Sequence, residues 1–224
     1  MSPLALLEPL LPTTCAVCGL PGGHLCERCR GLLRGVGEVV CAGCGAPLGA
    51  PAARCGQCEG PVAGARQAVH YDPVARALVS ALKDGRRPAL AGELAGVVVQ
   101  HLPVPALGCV LVPVPTSPAR VRRRGFDHAA LLARELGARW GRPVVVALVR
   151  PAGGPPQRGA RRGVRRSQLA GAFAPAGGAA PRHPVLVDDV RTTGATLAAC
   201  ARTLRAGGAR SVAAVCVARA GGGP

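Results

Sequence analysis

Aromatic side chains are nearly missing from this chain of 224 residues, which has one Trp, one Tyr and two Phe. Trp140, Tyr71, Phe126 and Phe173 are too scattered to form a stacking platform for single strands, which needs such rings gathered at the surface. The core must therefore come from Val, Leu and Ala, and 49% hydrophobic residues suffice for one good core plus a small appendage. Lysine is reduced to Lys83, and 11 acids face 28 cationic residues. The net charge of +17 and a pI near 11.1 predict attraction to polyanions: nucleic acid, nucleotides or diphosphates. The same excess of Ala, Gly, Pro and Arg also arises from a GC-rich coding sequence, so distribution carries more information than the total. Between Ala119 and Arg166, 13 arginines meet only Asp127 and Glu135. No apolar run is long enough to span a bilayer, and Met1 to Pro12 carry Glu8 without a basic leader region. A cytoplasmic protein without membrane insertion is expected.

Cysteine is plentiful, and in a reducing compartment 11 cysteines point to metal rather than to disulfides. Eight of them form four C-x2-C pairs: Cys15 with Cys18, Cys26 with Cys29, Cys41 with Cys44, and Cys55 with Cys58. One such pair brings two thiolates to one ion, and two pairs complete a closed tetrahedral Zn2+ site of the structural type. Two structural zinc ions are expected. The pairing is either sequential, with Cys15 to Cys29 on one ion and Cys41 to Cys58 on the other, or interleaved. His24 reads as a surface histidine. Closed thiolate sites leave no open position for catalysis, so this head serves as scaffold or recognition surface and folds on metal binding. Cys109, Cys200 and Cys216 lie in apolar stretches and read as small core residues.

The most informative stretch runs from Val185 to Leu197: an apolar strand, two adjacent carboxylates, then a Thr- and Gly-rich turn opening a helix. The amino end of a helix offers free N–H groups and a positive dipole to an anion. Thr192, Thr193 and Thr196 add hydroxyl donors, and Gly194 permits close approach of a phosphate. Asp188 and Asp189 repel that phosphate; their oxygens suit vicinal ribose hydroxyls or water on a bound Mg2+. One site thus offers acceptors for a ribose and donors for its 5′-phosphate.

Upstream, Val74, Leu78, Val79 and Leu82 mark a helix that ends at Lys83, and a second helix runs roughly from Pro88 to His101. Cys109 to Val114 reads as a buried strand closing on a proline-rich loop that includes Pro115 and Thr116. Ligands of open α/β sheets bind at such strand ends, so this loop is a candidate second wall. It leads into Arg120 to Arg124, whose guanidinium forks suit diphosphate oxygens, and then into a helix through Trp140. Pro143 to Val149 reads as a further strand. The Gly, Pro and Arg stretch from Arg150 to Arg166, with Gln157, Arg161 and Arg165, reads as a mobile basic lid, or else as a plain linker.

The segment Val185 to Leu197 resembles the phosphoribosyl diphosphate (PRPP) motif of type I phosphoribosyltransferases. That resemblance implies that Asp188 and Asp189 hold the ribose 2′- and 3′-hydroxyls, and that Arg191, Thr192, Thr193, Gly194, Ala195 and Thr196 cradle the 5′-phosphate. The whole chain resembles the ComF family of competence-associated, phosphoribosyltransferase-like proteins. The matching stretches are Cys15 to Cys58, Tyr71 to Lys83, Val112 to Pro115, Arg124 to His128, Gln157 to Phe173 and Val185 to Leu197. Departures from its pattern are Asp127-His128 after Arg-Gly-Phe, Ser167-Gln168 before Ala172-Phe173, and Asp84 after Lys83. The resemblance implies an α/β fold of type I phosphoribosyltransferase class, a Rossmann-like parallel sheet flanked by helices over residues 63–224, behind a cysteine-rich double zinc ribbon over residues 1–62. It implies transfer from PRPP to a nitrogen acceptor with Mg2+, with Pro115, Thr116, Arg120, Arg124 and Lys83 near the diphosphate. It also admits a role in DNA uptake, as a module for single-stranded DNA or for protein partners of uptake, or a sensor of PRPP or a nucleotide.

Overall fold

A computed structural model describes residues 13–50, 54, 55, 58, 60–151 and 171–221. Four parallel strands form the central sheet: β1 (Gly64–His70), β2 (Val110–Pro113), β5 (Pro184–Arg191) and β6 (Ala213–Arg219), in the spatial order β1-β6-β5-β2. Parallel strands need crossover connections, and helices supply them. These helices are α2 (Pro73–Lys83), α3 (Leu90–His101), α4 (Pro118–Arg124), α5 (His128–Trp140) and α6 (Ala195–Ala206). A single helical turn, α1 (Glu27–Gly31), lies in the cysteine-rich head. The pair β3 (Leu148–Val149) and β4 (Ala174–Pro175) is antiparallel and separate from the sheet.

The residue alternation of β5 fixes both layers. Val185 and Val187 face α2, α3 and α5, where they meet Leu78, Leu94, Leu132 and Leu136. Leu186 faces the opposite layer, with Leu197, Cys200 and Leu204 of α6 and with Leu148 and Phe173. Both faces are covered, which is why this strand reads as an unbroken apolar run. Cys200 and Cys216 are buried in the second layer, as expected of core residues, whereas Cys109 is half-buried.

α2 starts at Asp72, whose side chain accepts from the Ala75 N–H at 2.9 Å, with Pro73 at the first helical position. The second helix begins at Leu90, two residues after the expected Pro88. Arg120 to Arg124 lies within the short helix α4, closed by Gly125 in the left-handed region at φ 87°. One further expectation is corrected. Pro143 to Val149 is not one strand: Val144 makes a single parallel bridge to Leu111 through Leu111 N–H to Pro143 O and Val145 N–H to Leu111 O. The chain then leaves the sheet with Val145 and Val146 exposed and joins β4. Its valines supply strand propensity without a buried partner.

The two halves of the cysteine-rich head dock on different faces. Cys15, Leu25 and Cys29 join the α2–α3 layer, supported by ion pairing of Arg30 with Glu93. The linking residues Arg34 to Val36 run antiparallel beside β1, with Val36 N–H to Ala68 O and His70 N–H to Arg34 O. The second half crosses to the other face, where the Ala65 N–H donates to Gly43 O at 3.0 Å and Gln67 Nε2 donates to Cys44 O at 3.3 Å. Gly45 makes this contact possible. It sits at φ 68°, and a Cβ there would lie 2.4 Å from the Ala65 carbonyl oxygen. Gly45→Ala is expected to destabilise the zinc-loaded protein by more than the ~1–2 kcal/mol of the backbone conformation alone. Gly49→Ala, in open space, is expected to leave the urea midpoint unchanged.

Candidate functional site

The eight paired cysteines gather into two groups, Cys15, Cys18, Cys26 and Cys29, and Cys41, Cys44, Cys55 and Cys58, each with its sulfurs within 4.8 Å of one another. The pairing is sequential. Zn–S bonds near 2.3 Å put tetrahedral sulfurs about 3.8 Å apart. The sulfurs of Cys18 and Cys26 lie 3.8 Å apart, those of Cys44 and Cys55 3.7 Å, and those of Cys41 and Cys58 3.4 Å. Burial opposes ionisation of Cys15 and Cys41, but the N–H groups of their own turns outweigh it and bring both thiols to about 6. The donor set fits structural zinc. Metal analysis should find two zinc ions per chain, and Cys15→Ser with Cys29→Ser should leave one.

At the carboxyl end of β5, Asp189 points toward α2 and α5, as strand alternation from Val187 requires. Its carboxylate is buried, pairs with Lys83 from the last turn of α2, and lies 3.7 Å from Nε2 of the buried His128. Asp188 points to the α6 side, but its Oδ1 turns back to accept the Asp189 N–H at 2.9 Å. Ligand atoms of His128, Asp188 and Asp189 converge within 4.8 Å. Burial raises the Asp188 carboxyl well above the usual carboxylate range, and the neighbouring Asp189 adds to this. Burial also pushes Asp189 upward, but the His128 imidazole and the Lys83 charge outweigh it and hold Asp189 below that range. The two acids therefore differ: their surroundings favour the charged form of Asp189 and disfavour that of Asp188.

His128 is anchored by the loop after β2. Thr116 Oγ1 donates to Asp127 Oδ1 at 3.0 Å and sits 3.2 Å from His128 Nδ1. Asp127 caps α5, accepting from the Ala129 N–H at 2.9 Å and the Ala130 N–H at 3.3 Å. Its charge is thus spent on a helix end rather than presented to a ligand. Arg124 is largely buried, with NH1 3.3 Å from His128 Nδ1 and NH2 3.5 Å from Asp84. Arg120 is exposed and lies near Arg150, whose guanidinium stacks over Phe173 at 5.5 Å. Pro115 lines the same loop, half-buried. Gln157, Arg161 and Arg165 lie outside the described residues.

β5 continues through Arg191, so the bend itself is Thr192 to Gly194, and Ala195 and Thr196 form the first turn of α6. Thr192 and Thr193 are exposed, and Thr193 Oγ1 accepts the Ala195 N–H at 3.3 Å. Gly194 sits at φ 78°, and a Cβ there would come within 2.8 Å of the Arg191 guanidinium. The bend opens onto a cavity of about 1140 Å³ whose opposite wall is the second cysteine group; Arg54, Arg202 and Arg219 also line it, while neither Asp188 nor Asp189 does. The residues not foreseen as contributors are His128, Asp84, Arg54, Arg202 and Arg219. The His128 position was visible as an odd Asp-His after Arg-Gly-Phe; the others carry no local signal.

The upward shift of Asp188 has a measurable consequence. A carboxyl raised in the folded state contributes stability that is full below its unfolded value, near 3.9, and is lost as pH rises toward its folded value. Asp189 has the opposite sign, and its contribution is lost as pH falls below its unfolded value. Asp188→Asn removes the first titration and should therefore flatten the decline in stability as pH rises from about 4 through neutrality and raise Tm at the upper end of that range. Calorimetric scans across that range check it.

Residues 6–59 match the family model described as a double zinc ribbon domain. Over 93% of this chain and 98% of theirs, the curated relatives include the DNA utilization protein YhgH of Salmonella typhi at 32% identity, of Escherichia coli K12 at 31% and of Shigella flexneri at 30%. Among solved structures, similarity extends to an allosteric regulatory enzyme of purine biosynthesis, at 19% identity and TM-score 0.39 over 56% of this chain and 25% of that one. It also extends to the orotate phosphoribosyltransferase from Aeropyrum pernix, at 20% identity and TM-score 0.33 over 68% of each chain. Identity at this level along nearly the full length, together with paired four-cysteine centres ahead of a helix-flanked parallel sheet, makes this chain a member of the ComF family, to which the DNA utilization protein YhgH belongs.

Proposed function

We propose that the end of β5 binds PRPP with Mg2+ and that the chain transfers its phosphoribosyl group to a nitrogen acceptor. The observation that supports this most is the joining of two carboxyls with opposite shifts to a Thr-Thr-Gly bend through two residues, Val190 and Arg191. Asp188 and Asp189 offer acceptor oxygens to ribose hydroxyls. The bend offers Thr hydroxyls and backbone N–H groups to the 5′-phosphate.

In the reaction the bond from the anomeric carbon to the diphosphate oxygen breaks and a bond from that carbon to the acceptor nitrogen forms. Positive charge develops on the ribose ring between the two events. Asp189 lies on that side, and its Lys83 partner is positioned to follow the departing diphosphate. His128, Asp188 and Asp189 are the residues that would stand nearest Mg2+, which supplies charge neutralisation for the leaving diphosphate. Thr116 and Arg124 hold His128 and so position the anionic carboxylate indirectly. Rate gain comes from orientation and electrostatics, since among the described residues no serine or cysteine stands at the carboxylate pair as a nucleophile.

A second reading has specific support in the name of the relatives and in the charge of +17: a module that holds single-stranded DNA without turnover. Titration calorimetry with PRPP and Mg2+ separates the two. Wild type should bind, and Asp188→Asn with Asp189→Asn should weaken binding by more than about 100-fold, because charge-assisted bonds contribute ~1.5–3 kcal/mol each. Absence of PRPP binding by wild type, with salt-sensitive binding of single-stranded DNA instead, would leave the second reading standing.

A further inference from the structure

We propose that the cleft between the second four-cysteine centre and the Thr192 to Gly194 bend is a separate binding site for a chain of linked phosphoryl groups. The cleft measures about 1140 Å³, at or beyond the roughly 300–1,000 Å³ of ordinary ligand pockets, so a lone phosphate would leave most of it unfilled. Four guanidinium groups line it from separate parts of the chain: Arg54 from the second centre, Arg191 from β5, Arg202 from α6 and Arg219 from β6. Among the described residues, no Asp or Glu lines it and none of the four arginines is in an ion pair.

This is a built wall rather than a solvated charge run. Arg219 is held by NH1 donating to Cys44 O at 3.3 Å and to Gln67 Oε1 at 3.4 Å, and its Nε is buried without an acceptor among the described residues. Arg191 and Arg219 face each other in register on adjacent strands. Like charges held together with no carboxylate among the described lining residues favour an anion between them. The described lining residues include no aromatic ring and no histidine, so none of them stacks on a nucleobase. Recognition falls on phosphoryl oxygens, which arginine forks grip in pairs. Asp188 and Asp189 are not in the lining, so the site is distinct from the carboxylate pocket and shares only the bend with it. Zinc fits this arrangement, because it cancels half the charge of the four thiolates of the second centre, of which Cys44, Cys55 and Cys58 line the cleft.

Linked phosphoryl groups occur in inorganic oligophosphates and in sugar-phosphate backbones. Calorimetry on the zinc-loaded full chain, with tripolyphosphate in one arm and an abasic deoxyribose-phosphate oligomer in the other, identifies the source by whichever binds more tightly. Saturable one-to-one binding is expected, weakened about tenfold or more by Arg54→Gln with Arg202→Gln, both exposed positions. The control Arg122→Gln with Arg134→Gln, exposed on α4 and α5, should change it by less than about twofold. Equal losses in both double variants, or no saturation, would overturn the site as a mere effect of net charge. Asp188→Asn with Asp189→Asn should retain tripolyphosphate binding even where PRPP binding is lost. Loss of both would overturn the claim of separateness, whereas loss of PRPP binding alone bears only on the phosphoribosyl reading.

Discussion

Two carboxylates on successive residues of one buried strand cannot both point the same way, and this molecule is organised around that constraint. The strand sends Asp189 into the layer of α2 and α5, where it pairs with Lys83 and lies beside His128, and sends Asp188 toward α6. Burial disfavours the charged form of Asp188, whereas the partners of Asp189 favour its charged form. Identical side chains thus acquire opposite shifts within 4.8 Å of each other. The neutralising groups themselves depend on long connections: Lys83 on the end of α2, His128 on α5, and Thr116 and Arg124 on the loop and helix between β2 and α5.

The cysteine-rich head is not a single appendage. Its first half extends the apolar layer over α3, so removal of its metal acts on stability. Its second half hangs from β1 by Gly43, Cys44 and Gly45 and faces the bend of β5 across a cleft. A structural metal there shapes a surface as well as a fold. The arginine excess divides in the same way. Arg30 and Arg139 pair with Glu93 and Glu135, and Arg142 binds the Pro105 carbonyl, all structural uses. Arg54, Arg191, Arg202 and Arg219 have no carboxylate partner among the described residues and share one cleft.

Much of this was legible in the chain. The four C-x2-C pairs, the helix at Val74 to Leu82, the buried strand before Asp188 and the Thr-Thr-Gly bend all follow from local spacing, because each is decided by neighbours within a few residues. Misreadings arose where the partner is distant. Val144 to Val146 has strand propensity but lacks a strand beside it beyond one bridge. Asp127 looked like an acid intruding on an anion site, yet it caps α5.

The sequence by itself determined most of the elements, that two metals can be held by eight thiols, and that an acid pair meets a Thr-Thr-Gly bend. It determined these because spacing, capping and alternation act over a single turn or strand. Only the tertiary structure decided that the thiols pair sequentially, that the lone lysine belongs to Asp189, that the two acids shift in opposite directions, and that four arginines share a cleft. Those outcomes depend on burial and on charges brought together from opposite ends of the chain, and neither quantity exists until the layers have packed.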